Sequence, residues 1–314
     1  MWYKKLHSRT VQVVTEASMK LESNDLSTAL QAWYAKGSRL DVPGTASTRI
    51  WRQGTGPTVV CLHGVPTSAY LYRKVLPALA SRGLEGVALD FPGLGFADRP
   101  TDFDYTWTGL SAWLEQALAE AKIDSFHLVV HELGGPIGFD LVRRVPQHVL
   151  SLTVLNTIVN VSRFSKPLAM RPFSVPGLGR LWVLQMNSPV IFPFFRWKGV
   201  LSGPRYSEIR AYGELLVLGD GGSAFRKIMG TFETTREFEE RILPPLRDRT
   251  FPAQIVWGRH DSELTVESKG ADVKRALNLQ TDIHEVEGKH FLQENCADEI
   301  ADRIALLVKT GKDI

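Results

Sequence analysis

From Ser38 onward, apolar and polar positions first alternate and then stop alternating, and this change of period is the chain's main structural signal. SRLDV (38–42) and STRIWRQG (47–54) alternate as paired antiparallel strands do, and GTGP (54–57) is a turn. Later runs are short, apolar and mostly β-branched: TVVCLHG (58–64), GVALDFPG (86–93), HLVVHE (127–132), LTVLNT (152–157), AQIVWGRHD (253–261) and TDIHEVEG (281–288). Runs of that kind predict strands covered on both faces. Helical periods lie between several of them. Leu110, Trp113, Leu114, Ala117, Leu118 and Ala121 recur three and four residues apart, and Ile300, Ile304 and Leu307 do the same near the end. Strand alternating with helix predicts an α/β fold: a mostly parallel, doubly wound sheet.

The alternation stops between about 159 and 248, where Pro, Phe, Trp and Leu dominate and the pattern reads as helices and loops. A helical insertion, 160–247, is therefore expected to divide a core made of 37–159 and 248–314. It should sit at the C-terminal edge of the strands, where open α/β sheets bind ligands. Residues 1–36 read as an N-terminal helical extension of no assigned role.

At 314 residues the chain can bury a large core, and 44% hydrophobic with 23% charged residues is ordinary for a soluble globular protein. A net charge of +3, with Lys and Arg spread along the chain, argues against a nucleic-acid surface and for a neutral small-molecule partner. Two cysteines, Cys61 and Cys296, make no disulfide framework, so a reducing, cytoplasmic setting is expected. The start lacks the apolar run and cleavage site of a secretory signal. SPVIFPFFRW (188–197) is too short to span a bilayer and holds Pro189 and Pro193, so no transmembrane segment is expected. It is read as lining an internal cavity; seating on a membrane surface or a partner is the alternative.

The strand ends carry the candidate chemistry. His63, Gly64 and Val65 follow the first parallel strand, Asp90 the second, Glu132 the third, Asp261 the fifth and His290 the sixth. Glu132 stands where a strand turns sharply into a helix, and the order acidic turn residue, Asp, His is that of nucleophile, acid and base. With LHGVPTSAYLYRKVLP, LDFPGLGFADRP, HELGGPIG, VWGRHD and GKHFLQE, residues 38–310 resemble the α/β-hydrolase superfamily. Within it they resemble the branch of haloalkane dehalogenases and epoxide hydrolases.

The resemblance implies a triad of Glu132, Asp261 and His290 and no metal or organic cofactor. It also implies an oxyanion hole from the backbone N–H groups of Val65 and Leu133. The small Gly134 and Gly135 allow the turn, and Pro136 suits the first helical turn. His63, Phe96, Trp182, Phe192, Tyr206, Tyr212 and Phe291 are candidates for an apolar substrate pocket, with Phe194 and Phe195. His63 and His131 are otherwise structural residues, and Asp90 and Asp98 are expected to hold the PGLGFAD loop. Asn156 ends a strand from which some relatives supply the acid, and an amide cannot be that acid.

The sequence departs from the branch in three places. The nucleophile there is aspartate, and glutamate adds a methylene that moves the oxygens by roughly 1–1.5 Å. The tryptophan that holds a halide after the nucleophile is Leu133, and an asparagine that serves after the HG pair is Val65. These departures favour an epoxide or related electrophilic carbon over a haloalkane; Tyr206 and Tyr212 are candidate proton donors, but a spacing of six is not a helical pair, and packing is the ordinary role for both. Two alternatives stay open: an esterase or lactonase with Glu132 as general base, and a weak or inactive ligand-binding protein. An aspartate-to-glutamate variant of an active enzyme would have the same sequence. In the binding-protein alternative, an imidazole between Glu132 and Asp261 would be held protonated and unable to act as a base.

Overall fold

The computed structural model describes residues 26–175, 178–185, 188 and 191–314, so most of the expected N-terminal extension, residues 1–25, lies outside the described residues. The rest of that extension contains helix α1 (Thr28–Lys36), whose Leu30 and Trp33 are buried. Trp33 stacks on Trp51 at 4.6 Å, and the Trp51 indole donates to the Trp33 carbonyl at 2.8 Å.

The strands are β1 (Ser38–Leu40), β2 (Thr48–Gln53), β3 (Thr58–Leu62), β4 (Glu85–Leu89), β5 (Phe126–Glu132), β6 (Val149–Thr157), β7 (Ala253–Gly258) and β8 (His284–Val286). They form one sheet in the order β1-β2-β4-β3-β5-β6-β7-β8. The alternating segments form β1 and β2, antiparallel to each other, and β2 runs antiparallel to β4. The remaining pairings are parallel, as the unbroken apolar runs predict.

Side chains alternate between two cores. Leu128 and Val130 of β5 pack on the face covered by α3 (Trp107–Glu120) and α4 (Gly134–Arg144). Val129 packs on the opposite face, with Leu76 of α2 (Val75–Ala80) and Ile300 and Ile304 of α11 (Ala297–Thr310). A strand of period two thus contributes to both layers.

Between β6 and β7 the described residues form helices and no strand: α5 (Leu178–Gln185), α6 (Ile191–Gly199), α7 (Tyr206–Val217), α8 (Ser223–Gly230) and α9 (Arg236–Arg247). The last packs against α4, burying Phe238, Ile242 and Leu246, with Arg241 3.5 Å from Asp140. A short helix, α10 (Ala271–Ala276), lies between β7 and β8. Among the described residues no helix is long and apolar enough to cross a membrane.

Candidate active site

Strand β5 ends at Glu132, whose φ of 50° lies in the left-handed region, and α4 begins two residues later. The ladder with β6 slips between His131 and Glu132, where the strand turns away. A left-handed conformation at a residue with a Cβ costs about 1–3 kcal/mol, so its surroundings must hold it. Thr157 does so by donating its hydroxyl to the Glu132 carbonyl at 2.5 Å. A Cβ on Gly135 would lie 1.9 Å from that hydroxyl, which accounts for glycine there.

The two oxygens of the Glu132 carboxylate differ. Oε2 accepts from the Val65 N–H at 2.7 Å and from the Leu133 N–H at 2.5 Å. The longer side chain therefore curls back into the cradle that Val65 and Leu133 form. Oε1 takes part in none of the hydrogen bonds found among the described residues, and Glu132 lines a large cavity. Gly64 closes the cradle from behind: a Cβ there would lie 2.2 Å from Oε2. Burial raises the Glu132 pKa, against the lowering effects of His290 and the two N–H groups.

His290, also on the cavity wall, donates from Nδ1 to Asp261 Oδ2 at 2.8 Å. That bond leaves Nε2 as the nitrogen able to take a proton. Asp261 is itself fixed: Oδ2 accepts from the Asn156 amide at 2.7 Å, and Oδ1 from the N–H groups of Glu263 (2.9 Å) and Leu264 (3.0 Å). Burial acts to raise the Asp261 pKa, but His290 and these donors outweigh it and hold it near 2. At His290 burial acts to lower the pKa, and the charges of Asp261 and Glu132 outweigh it, so the net direction is upward.

The cavity has a volume of about 770 Å³ and is walled mainly by apolar side chains, including Phe164, Phe173, Trp182, Phe194, Phe195 and Phe291. Of the pocket candidates, Trp182 and Phe291 are on this wall. His63 is not: its Nδ1 donates to the Gly64 carbonyl at 2.9 Å and its Nε2 accepts from the Phe91 N–H at 3.1 Å. With both nitrogens used inside the core, its pKa falls to about 4 by burial. Phe96 packs against Tyr34 and Trp51, away from the cavity.

Phe192 is also off the wall, buried against Tyr206 at 4.8 Å between ring centres. Tyr206 is 47% exposed, and Tyr212 is buried with its hydroxyl on Glu294. A spacing of six turns the two tyrosines to different faces of α7. His131 donates to the His290 carbonyl at 2.8 Å, a bond that fixes the loop and not the reacting atoms. Asp90 accepts from the N–H groups of Ala69 and Phe96, both at 2.7 Å, and Asp98 from that of Ser47 at 3.1 Å, so both tie loops together.

Sequence reasoning missed the positive role of Asn156, whose Oδ1 accepts from Gly258 at 2.8 Å while its amide holds Asp261. Its place at the end of the strand between those bearing Glu132 and Asp261 was the available signal. Trp107 and Lys198 on the wall were also missed. Among the described residues no three His, Cys, Asp or Glu side chains gather as a metal site requires.

Comparison with known proteins accords with this architecture. A family model described as alpha/beta hydrolase fold matches residues 57–195, which carry Val65, the turn and Glu132. The chain has the α/β-hydrolase fold. Among curated relatives of this α/β hydrolase is an uncharacterized hydrolase of Saccharomyces cerevisiae, 29% identical over 82% of this chain and 92% of the relative. A haloalkane dehalogenase of Mycobacterium marinum is 27% identical, covering 79% of this chain and 84% of the relative. The solved structure of the haloalkane dehalogenase DbeA from Bradyrhizobium elkani superposes with a TM-score of 0.71 at 22% identity, over 87% of this chain and 97% of that one. That likeness establishes the shared fold.

Proposed function

We propose that this α/β hydrolase attacks an electrophilic, saturated carbon of an apolar small molecule with the Glu132 carboxylate and then hydrolyses the resulting ester. The observation that carries this reading is the division of labour within Glu132: Oε2 rests in the N–H cradle, while Oε1 takes part in none of the hydrogen bonds found among the described residues and the side chain lines the cavity. In the first step Oε1 bonds to carbon and the leaving group departs with its electron pair. Oε2 becomes the ester carbonyl oxygen, already seated between its two donors.

In the second step His290 Nε2 takes a proton from water, and the hydroxide oxygen adds to the Glu132 carboxyl carbon. The charge that develops on Oε2 is held by the Val65 and Leu133 N–H groups. Collapse expels the product alkoxide, which takes its proton from His290, and the restored carboxyl group loses its proton to solvent. Asp261 keeps Nδ1 protonated and supports the transient imidazolium.

A substrate ester would need its own carbonyl oxygen in the cradle that Oε2 fills, so the esterase reading is disfavoured. In-line attack places the leaving atom across the cavity from Glu132. Besides His290, the cavity wall's side chains with N–H groups are Trp107, Trp182 and Lys198, and no tyrosine among the described residues lines it. Lys198 is engaged by Glu263 at 2.7 Å, and an indole N–H can hold an anion but does not give up its proton, so a halide, stable as an anion, suits this wall better than an opening epoxide. The named dehalogenase relatives point the same way. The placement of the two tyrosines thus reverses the preference drawn from the sequence. The helices between β6 and β7 act, in this reading, as the cap that keeps water scarce.

The deciding experiment follows halide and diol release from haloalkanes and epoxides by the purified protein and by Glu132→Gln. Halide release that Glu132→Gln abolishes supports the proposal. Turnover that survives Glu132→Gln sinks it; diol formation alone that Glu132→Gln abolishes keeps the ester route and overturns the preference for a halide leaving group.

A further inference from the structure

The segment between residues 160 and 207 contains seven Lys and Arg and no Asp or Glu, in a chain whose overall charge is only +3. The same segment holds most of the large apolar side chains left in water: Val175 (46% exposed), Leu181 (62%), Phe194 (50%) and Trp197 (62%). Each is within two residues of the cavity wall. Phe173, Trp182 and Lys198 line it, and Phe194 is at once half-exposed and part of the lining.

Phe194 and Trp197 lie three apart on α6 with ring centres 6.0 Å from each other. Two ammonium groups flank the indole, Lys198 at 5.9 Å and Lys289 at 5.2 Å. Glu263 faces them, 2.7 Å from Lys198, and Glu208 lies beside Arg205, so the seven cations of the segment together with Lys289 outnumber these two carboxylates. α6 is held to the core behind this surface, since the Phe291 N–H donates to the Gly199 carbonyl at 2.8 Å.

We propose that this rim is a docking surface for an anionic lipid bilayer, through which apolar substrate enters the cavity. Exposed Trp and Phe beside cations that outnumber the facing carboxylates have the chemistry of an interfacial anchor: rings enter the headgroup region and Lys and Arg meet lipid phosphates. A soluble protein partner with acidic side chains would satisfy the charges, but it would not explain aromatic side chains standing in water around the mouth of an apolar cavity. Only the delivery of substrate rests on the function proposed above; docking does not require turnover.

Co-sedimentation of the full chain with phosphatidylcholine vesicles, with and without phosphatidylglycerol, tests the surface. The expected result is binding at least about tenfold tighter to the anionic vesicles and weakened by salt. Leu181→Ser with Trp197→Ser is expected to lower that binding about tenfold while leaving the circular dichroism spectrum and halide release from a water-soluble substrate unchanged. Equal binding to both vesicle types, or undiminished binding of the double variant, overturns the proposal. So does a sedimentation profile in which the wild type pairs with itself, the double variant does not, and neither binds vesicles. Absence of turnover by the wild type with its vesicle binding intact would count against the proposed reaction and leave the docking surface standing.

Discussion

At Glu132 one carboxylate is asked to be both nucleophile and occupant of the oxyanion hole, and its geometry separates the two jobs by atom. If Oε1 forms an ester, removing the base should stop the reaction there. His290→Gln incubated with substrate is expected to gain the mass of the alkyl group on the peptide carrying Glu132, seen by mass spectrometry. An unmodified peptide after prolonged incubation would count against the covalent route. The upward shift of His290 sets the pH dependence. The nitrogen that must accept water's proton is free only above its pKa, so single-turnover ester hydrolysis should rise with pH through a midpoint above the ordinary histidine value of about 6.5. Asp261→Asn removes the largest raising influence, so the midpoint should move down while the plateau falls by about a hundredfold or more. Gly64→Ala puts a methyl where Oε2 lies and is expected to lower turnover by about a hundredfold without unfolding the protein. The three residues of the pair and turn were legible because each ends a strand run. The idle state of His63 was not, since only packing shows both ring nitrogens already bonded.

Elements bring these residues together through bonds that join loops distant in sequence. Arg73, eight residues after Val65, makes a two-bond pair with Glu294, four residues after His290, at 2.6 and 2.8 Å. Lys74 and the Tyr212 hydroxyl complete the shell of Glu294, whose side chain is fully buried. The network thus ties the cradle loop, the histidine loop and α7. Breaking one partner of a buried pair leaves a charge without compensation and costs about 3–5 kcal/mol, whereas replacing both with apolar groups is often neutral. Glu294→Leu is therefore expected to lose about 3 kcal/mol in urea unfolding, and Arg73→Met with Glu294→Leu to recover most of it. Equal destabilisation in the single and double variants would show that packing, and not the pair, is responsible. None of this could be read from periodicity, because the partners are far apart in sequence and a charged residue in a helical or loop pattern ordinarily marks a solvated face. The mostly parallel sheet was legible as a class, whereas strand order and register were not, and the three-residue β8 is much shorter than the segment 281–288 predicts.

For the whole molecule, the sheet supplies a rigid edge carrying the polar atoms and the intervening helices supply an apolar room above them. The sequence announced that room through its aromatic content, yet it did not distinguish wall residues such as Phe194 and Phe195 from core residues such as Phe192. That distinction is made by which way each helix turns when it packs. The wall's character sets a selectivity that does not depend on the leaving group. Each buried methylene is worth about 0.8 kcal/mol, equivalent to about a fourfold gain in binding. In a series of primary haloalkanes, kcat/KM should climb by up to that factor per added carbon and then level as the cavity of about 770 Å³ fills. A carboxylate at the far end of the same chain must give up its hydration against apolar rings, so it should cost at least a hundredfold relative to the uncharged substrate. A flat series, or a preference for the charged substrate, would show that the cavity above Glu132 does not receive the part of the substrate that confers recognition.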